Sequence, residues 1–373
     1  MASLRALIAG GGTGGHLFPA VALGDEILAR GGAVRFVGTA AGLEARLLPA
    51  RGYDLRLISV SGLKRVGVVG LARGLGKLPT ALLESRRVVA EFKPDVVVGV
   101  GGYASGPLVL AASLAGRPTA IMEQNSIPGV TNRVLGRVVK RVYIALEASR
   151  RFFPARKTVL LGNPVRQAIR EVAAQPAPAG ARPRVLAVGG SQGAHVVNEH
   201  LAQAVELLYQ RGRRFTLLHQ TGAADEQPIG ARYRALDPDG AALAARAFVE
   251  DMATAYREAD VVVGRAGATT IAELCAVGRP SLLVPFPFAA DNHQEVNARV
   301  LERAGAATVL LQGELTAAKL ADALDALLAD APLRAHMAAA ARELGRPDAA
   351  RDIADDLERL ALPASAAFTV RSA

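Results

Sequence analysis

The sequence predicts an α/β protein made of two Rossmann-like domains, each a parallel sheet covered by helices on both faces. Three observations carry this. Short, continuously apolar runs alternate with stretches of helical period, the pattern of strands buried on both sides with helices between them. The glycine-rich segment Leu7-Ile8-Ala9-Gly10-Gly11-Gly12-Thr13-Gly14-Gly15-His16 lines up with Leu186-Ala187-Val188-Gly189-Gly190-Ser191-Gln192-Gly193-Ala194-His195. Two further pairs follow in the same order: Asp95-Val96-Val97-Val98-Gly99 with Asp260-Val261-Val262-Val263-Gly264, and Gly116-Arg117-Pro118 with Gly278-Arg279-Pro280. The offsets of 179, 165 and 162 residues drift slowly, as differences in loop length would make them.

Strands are expected at 6–9, 34–37, 96–100, 119–122, 142–145, 185–188, 215–220, 261–264 and 281–284, with helices such as 19–30 and 196–211 between them. The boundary falls near Gly162-Asn163-Pro164. This gives an N-terminal domain 1–163, a C-terminal domain 164–345, and a terminal segment 346–373. That segment holds a helix at about 348–360, able to pack on either domain, and a loose tail. The Ala/Pro-rich stretch 173–183 reads as a surface loop.

Composition narrows the function. The single cysteine, Cys275, excludes a disulfide framework and fits a reducing cytoplasm; in its apolar helical stretch it reads as a small buried residue. No run reaches about 18 apolar residues, and the N-terminal run is too short for a signal peptide. The net charge of +10 is unevenly placed. Residues 1–163 hold 22 Lys/Arg against 9 Asp/Glu, leaving +13, whereas 164–373 hold 22 against 25, leaving −3. The first half should therefore meet something anionic.

A strand, a glycine-rich turn and a helix make an anion site, because the helix N-terminus presents N–H groups and a partial positive charge. Both halves carry this device. A dinucleotide fold would add an acidic residue after the second strand, but Gly38-Thr39-Ala40-Ala41 has none; a P-loop would need Gly-Lys-Ser/Thr. His16, at the start of a helix, is disposed to be neutral and able to accept a proton, or else it caps the helix or packs on the next loop. His195 holds the corresponding place in the second half, and both cannot be the base. Glu273, early in the helix after Arg265-Ala266-Gly267-Ala268-Thr269-Thr270, can accept two hydrogen bonds from a ribose diol, or sit at the surface where a helix start favours an acid. The amide-rich run Asp291-Asn292-His293-Gln294-Glu295-Val296-Asn297 suits sugar hydroxyls. Asp237-Pro238-Asp239 has the spacing of a metal-binding D-x-D but lies in a Pro/Gly stretch and reads as a turn.

Together these segments resemble the MurG-type N-acetylglucosaminyltransferases of peptidoglycan synthesis, in glycosyltransferase family 28. The matching segments are Gly11-Gly12-Thr13-Gly14-Gly15-His16-Leu17-Phe18-Pro19, Gly101-Gly102-Tyr103-Ala104-Ser105-Gly106-Pro107, Glu123-Gln124-Asn125, Gly162-Asn163-Pro164-Val165-Arg166, Gly189-Gly190-Ser191-Gln192-Gly193-Ala194, Arg265-Ala266-Gly267-Ala268-Thr269 with Glu273, and Asp291-Asn292-His293-Gln294 with Asn297-Ala298. Met122 departs from the pattern, standing where many members have His.

The resemblance implies the GT-B architecture, two Rossmann-like domains facing a cleft. It also implies transfer of GlcNAc from UDP-GlcNAc to the C4 hydroxyl of the muramyl sugar of lipid I, with inversion, giving lipid II and UDP. His16 is then the favoured base, with Tyr103 and Glu123 on the acceptor side. Thr13, Gly14, Gly15, Asn125 and Arg166 complete a donor site formed mainly by Ser191, Val249, Ala268, Thr269, Thr270, Glu273 and Gln294. No metal and no cofactor is implied.

An undecaprenyl-linked acceptor places the enzyme at the cytoplasmic face of the bacterial plasma membrane, peripherally bound. The basic, apolar segment 63–93, with seven Lys/Arg and two acids, would rest on anionic lipid. Rival readings are another GT-B transferase with a different lipid acceptor, a UDP-GlcNAc epimerase, and a nucleic-acid-binding module. The scarcity of aromatic side chains in the basic segment speaks against nucleic acid.

Overall fold

A computed structural model describes residues 3–60, 78–173, 175, 180, 182–189 and 194–362. The chain divides into two compact units. The first takes the residues up to Arg166 and those from Pro347 onward; the second is the uninterrupted stretch Gln167–Arg346.

Seven strands form the sheet of the first unit: β1 (Arg5–Ala9), β2 (Ala33–Gly38), β3 (Leu55–Leu57), β4 (Val96–Gly99), β5 (Thr119–Glu123), β6 (Arg141–Ile144) and β7 (Thr158–Leu160). All neighbours are parallel, in the order β3-β2-β1-β4-β5-β6-β7. The second unit repeats the plan with β8 (Arg184–Val188), β9 (Thr216–Gln220), β10 (Leu243–Arg246), β11 (Val261–Gly264), β12 (Ser281–Leu283) and β13 (Ala307–Val309), in the order β10-β9-β8-β11-β12-β13. In each sheet the order reverses beside the first strand, between β1 and β4 and between β8 and β11. At such switch points doubly wound folds bind ligands at the carboxyl ends of their strands.

Burial on both faces explains the apolar runs. Side chains alternate across a strand. Ala6 and Ile8 of β1 join one apolar layer with Leu17, Val21, Leu23 and Ile27, while Leu7 and Ala9 join the opposite layer with Val88, Phe92, Leu108 and Leu135. The four strands with no counterpart among those expected, β3, β7, β10 and β13, are the sheet edges. An edge strand is short and half-covered, so it needs fewer apolar residues and escapes a hydropathy criterion.

The first helix starts at Gly14 rather than at residue 19 and runs to Ala29, with Pro19 inside it. Proline suits a helix start, but here the turn Gly14–Phe18 is already helical, at the cost of the backbone bond Pro19 cannot donate. Cys275 is buried, which pushes its thiol up to about 12. The carboxylate of Asp237 accepts from the N–H groups of Ala242 (2.7 Å) and Leu243 (2.9 Å), closing the turn in which it lies.

The last helix, Ala349–Ala361, belongs to the first unit. Ile353, Ala354 and Leu357 enter the apolar layer of Leu17 and Ile27. Arg30 pairs with Asp355 (2.6 Å) and Glu358 (3.1 Å). Asp356 takes Arg141 (2.8 Å) and the hydroxyl of Tyr143 (2.9 Å). Burial, with Asp356 adding to it, raises the Tyr143 phenol well above its ordinary range.

Candidate functional site

The described candidate site residues follow the carboxyl ends of strands, apart from Glu123, which is the last residue of β5. In the first unit β1 delivers Gly10 to Thr13, and Thr13 caps the helix that carries His16 near its start. Gly12 has φ +83°, which needs glycine. The His16 N–H donates to the Thr13 carbonyl (3.2 Å), and its Nδ1 lies 3.4 Å from the Thr13 hydroxyl. The loop after β4 packs against this one. Gly101 and Gly102 have φ +100° and +80°. A Cβ on Gly101 would stand 2.5 Å from the His16 ring, and one on Gly102 2.6 Å from the Gly11 carbonyl oxygen. The imidazole is thus seated on bare backbone. Ser105, buried, fixes that loop: its hydroxyl, with one proton to share, lies 2.8 Å from the Ala9 carbonyl and 2.7 Å from the Gly101 carbonyl. Tyr103, on the same loop, is exposed.

At the end of β5 Glu123 is buried, and both its oxygens are engaged: one by the Asn125 N–H (2.9 Å), the other by the Asn132 side-chain amide (2.8 Å). Burial raises its carboxyl above the ordinary value, against these bonds. Arg166 stacks over Phe18, 4.9 Å from the ring centre.

In the second unit Ala268, Thr269 and Thr270 form the first turn of the helix Ala268–Val277, and Glu273 lies on the next. Glu273 is 5% exposed, so it is no surface acid, and it accepts from the Tyr256 hydroxyl (3.2 Å). Val249 is buried and its N–H donates to the Gln220 side chain (3.0 Å). Gln294 accepts from the Phe286 N–H (2.9 Å), just after Asp291 and Asn292 in left-handed conformation. Asp and Asn tolerate that region better than other side chains. Ser191 lies outside the described residues.

Two features of this unit carry no assigned role in the sequence reading. Arg265 donates to the carbonyls of Val284 (3.1 Å) and Pro285 (3.2 Å) and to Gln312 (2.7 Å), and faces Phe286. Burial pushes its guanidinium down to about 10, and no acid pairs with it among the described residues. A half-buried cation held by neutral acceptors at a strand's carboxyl end suits an anionic ligand. The second feature is a chain of bonds beneath the helix His195–Gln210. His195 meets Asp225 (2.9 Å), Asn198 donates to Asp225 (2.7 Å) and to the Thr221 carbonyl (2.8 Å), and His219 lies between the Asn198 oxygen (3.1 Å) and the Tyr233 hydroxyl (2.8 Å). Because the Asn198 oxygen can only accept, His219 Nε2 carries the proton and Nδ1 accepts from Tyr233.

This chain makes a pH prediction. Burial pushes His219 down to about 3 from an ordinary 6.5. Between those values the unfolded chain binds a proton that the folded one refuses, so this contribution is complete above pH 6.5 and is lost as pH falls. The expected slope is about 1.4 kcal/mol per pH unit. His195, raised by its bond to Asp225, acts in the opposite sense, its contribution complete below 6.5 and fading above. Denaturant unfolding of the second unit between pH 4 and 6.5 should show the loss, and His219→Gln should flatten it; a slope equal in both proteins would contradict the assignment.

Comparison with known proteins now decides the family. Residues 6–144 match the glycosyltransferase family 28 N-terminal domain and residues 184–353 the family's C-terminal domain. A UDP-N-acetylglucosamine--N-acetylmuramyl-(pentapeptide) pyrophosphoryl-undecaprenol N-acetylglucosamine transferase of Anaeromyxobacter sp. (strain Fw109-5) is 49% identical over 356 residues, covering 94% of this chain and 92% of the relative. The transferase of the same name from Myxococcus xanthus (strain DK1622) is 47% identical, with coverage of 94% and 92%. The crystal structure of Acinetobacter baumannii MurG superposes with a TM-score of 0.76 at 33% identity, over 95% of this chain and 99% of that one. The chain belongs to the MurG-type transferases of glycosyltransferase family 28. In this MurG-type chain the segments found from the sequence after β1, β4 and β11 lie at the switch points. Asn132 and Asn198, buried, and Arg265, half-buried, are among the polar residues that gave no sequence signal beyond an amide or a cation set among apolar neighbours.

Proposed function

We propose that this protein transfers GlcNAc from UDP-GlcNAc to the C4 hydroxyl of the muramyl sugar of lipid I, releasing UDP and forming lipid II with inversion. The observation that carries this reading is near-full-length identity of 47–49% to transferases of that name. The residue chemistry supports it. The second unit holds the donor. Glu273, fixed by Tyr256, accepts from the ribose hydroxyls. The Val249 carbonyl reads uracil, its N–H being engaged by Gln220. The amide nitrogen of Gln294 reads the sugar, its oxygen being engaged by Phe286. The start of the helix Ala268–Val277 and Arg265 face the diphosphate. The Ser191 loop adds to this anion site.

In the first unit His16 takes the proton from the C4 hydroxyl while that oxygen attacks the anomeric carbon. The bond from this carbon to the diphosphate oxygen breaks, and UDP leaves with the electron pair. Fixed cations and N–H dipoles stabilise the charge that develops on UDP. Thr13, Gly14, Gly15, Asn125 and Arg166 assist on the donor side, Tyr103 on the acceptor side. Glu123 stands with Tyr103 on the acceptor side, and its carboxylate also orders Asn125 and Asn132. The test is an assay with labelled UDP-GlcNAc and a lipid I analogue, with and without chelator. Disaccharide product at an equal rate in both supports the reading. No product on lipid I, or release of free ManNAc, would replace it with the rival transferase or the epimerase.

The same reading places the first unit on the cytoplasmic, anionic surface of the plasma membrane. Of segment 63–93, residues 63–77 lie outside the described residues. The rest, the helix Leu78–Phe92, packs on one face of the sheet with the helices Ser105–Leu114 and Val130–Val138. All three expose apolar side chains: Leu83, Leu114 (71% exposed), and the row Val130, Val134 and Val138 (62%, 54% and 46%). Arg86, Arg87, Arg137 and Lys140 stand exposed among them. Neutralising these four should weaken binding to anionic vesicles by ten-fold or more, at about 1 kcal/mol per charge. Turnover of a short-chain soluble acceptor should not change. Equal vesicle binding would leave this face without a membrane role.

A further inference from the structure

The helix Glu44–Ala50 begins with a side chain that does not behave like an ordinary acid at a helix start. Glu44 is 1% exposed. One carboxylate oxygen accepts from the Gly12 N–H (2.7 Å); the other accepts from the N–H (2.9 Å) and the hydroxyl (3.1 Å) of Thr39. No Lys, Arg or His pairs with it among the described residues. Its space is made by glycine. A Cβ on Gly11, Gly38 or Gly42 would lie 2.2, 2.3 or 2.1 Å from an atom of the Glu44 side chain. A buried carboxylate costs several kcal/mol unless its hydrogen bonds are met, and here the end of β2 and the loop after β1 both meet them.

What it holds is the backbone ahead of His16. Gly12 stands next to Thr13, whose carbonyl accepts the His16 N–H and whose hydroxyl lies beside His16 Nδ1. Gly101 and Gly102 crowd the same loop, one at the His16 ring, the other at Gly11. The loop is therefore gripped by a carboxylate and by the turn after β4. In a strand, glycine turn and helix of this kind, an N–H such as that of Gly12 ordinarily meets a ligand phosphate. Here the protein supplies its own anion.

We propose that Glu44 is a positioning residue of the transfer reaction. Its carboxylate takes the place of a ligand phosphate at the Gly12 N–H, and so fixes the backbone from which His16 projects. The inference rests on the reading of His16 as base. It also accounts for the division of labour between two similar loops: the first has this anion seat filled from within and serves to place a side chain.

The test is Glu44→Gln, which keeps the shape but turns an amide NH2 toward one of the N–H donors. The expected result is a kcat lower by about 10–100-fold, the range a small misplacement of a catalytic group produces, with KM for UDP-GlcNAc and Tm nearly unchanged. Hydrogen exchange at the Gly12 and Thr39 amides should be at least ten-fold faster. Unchanged kcat, or kcat and donor KM worsening together with Tm, overturns the proposal.

The native enzyme gives a second measurement that needs no folded variant. The exposed Gly12 amide must exchange slowly; exchange at the rate of an open loop also overturns it. Failure of the base reading is seen separately. His16→Ala would then keep its turnover, while the Gly12 amide still answers to Glu44.

Discussion

His16→Ala is expected to lower kcat by about 10²–10⁴-fold, the range that a positioned general base contributes, while UDP-GlcNAc binds almost as before. The ring is cradled by Gly101, where any Cβ would meet it at 2.5 Å, and is tied to Thr13 through both backbone and side chain. Removing it opens space without disturbing a strand, so Tm should move little. Most of the donor contacts proposed above lie in the second unit, which is why binding should survive. Steady-state kinetics with a lipid I analogue, alongside calorimetric titration with UDP-GlcNAc, separates the two effects. A variant with native turnover would place the base elsewhere.

The second large effect is structural. Ending the chain after Arg346 removes Ile353, Ala354 and Leu357 from the core of the first unit, leaves Arg141 and Tyr143 without their carboxylate partner, and leaves Arg30 with Glu26 alone. Re-exposing the face that covered Ile353 and Leu357 alone costs about 3–6 kcal/mol, a large part of the 5–15 kcal/mol that holds a typical domain. Peptides of the first sheet should lose protection from hydrogen exchange, while those of Gln167–Arg346 keep theirs. Leu357→Ala, a milder change, should cost about 2–5 kcal/mol. If the truncated chain keeps its first sheet protected, the last helix is an accessory.

What could be read in the sequence follows from where burial is complete. Central strands such as 96–100 and 261–264 are wrapped on both faces, so every residue is apolar and the run declares itself. The edges do not, because half of each edge strand meets solvent: Leu55–Leu57 alternates with Arg56 and exposes Leu57. The site loops were legible because each is a contiguous motif at the end of such a strand. Residues that act through another segment were not. Glu44 looks like an ordinary acid at a helix start, and its partner Gly12 lies 32 positions away. Asn198 and His219 have the same difficulty, since their bonds join a helix to a strand 21 residues on. The amphipathic pattern of Ala349–Ala361 declared a buried face but not the surface that receives it.

The interrupted build of the first unit has a consequence in time. Its seven strands leave the ribosome early, yet the helix that seals one of its apolar layers is synthesised only after the 180 residues of Gln167–Arg346. At about 5–20 residues per second, that layer waits roughly 10–40 s for its cover, while the contiguous second unit can close as soon as it emerges. The part of the molecule made first is therefore finished last, and during that interval Leu17, Val21 and Ile27 form an uncovered apolar stripe open to any chaperone that binds it.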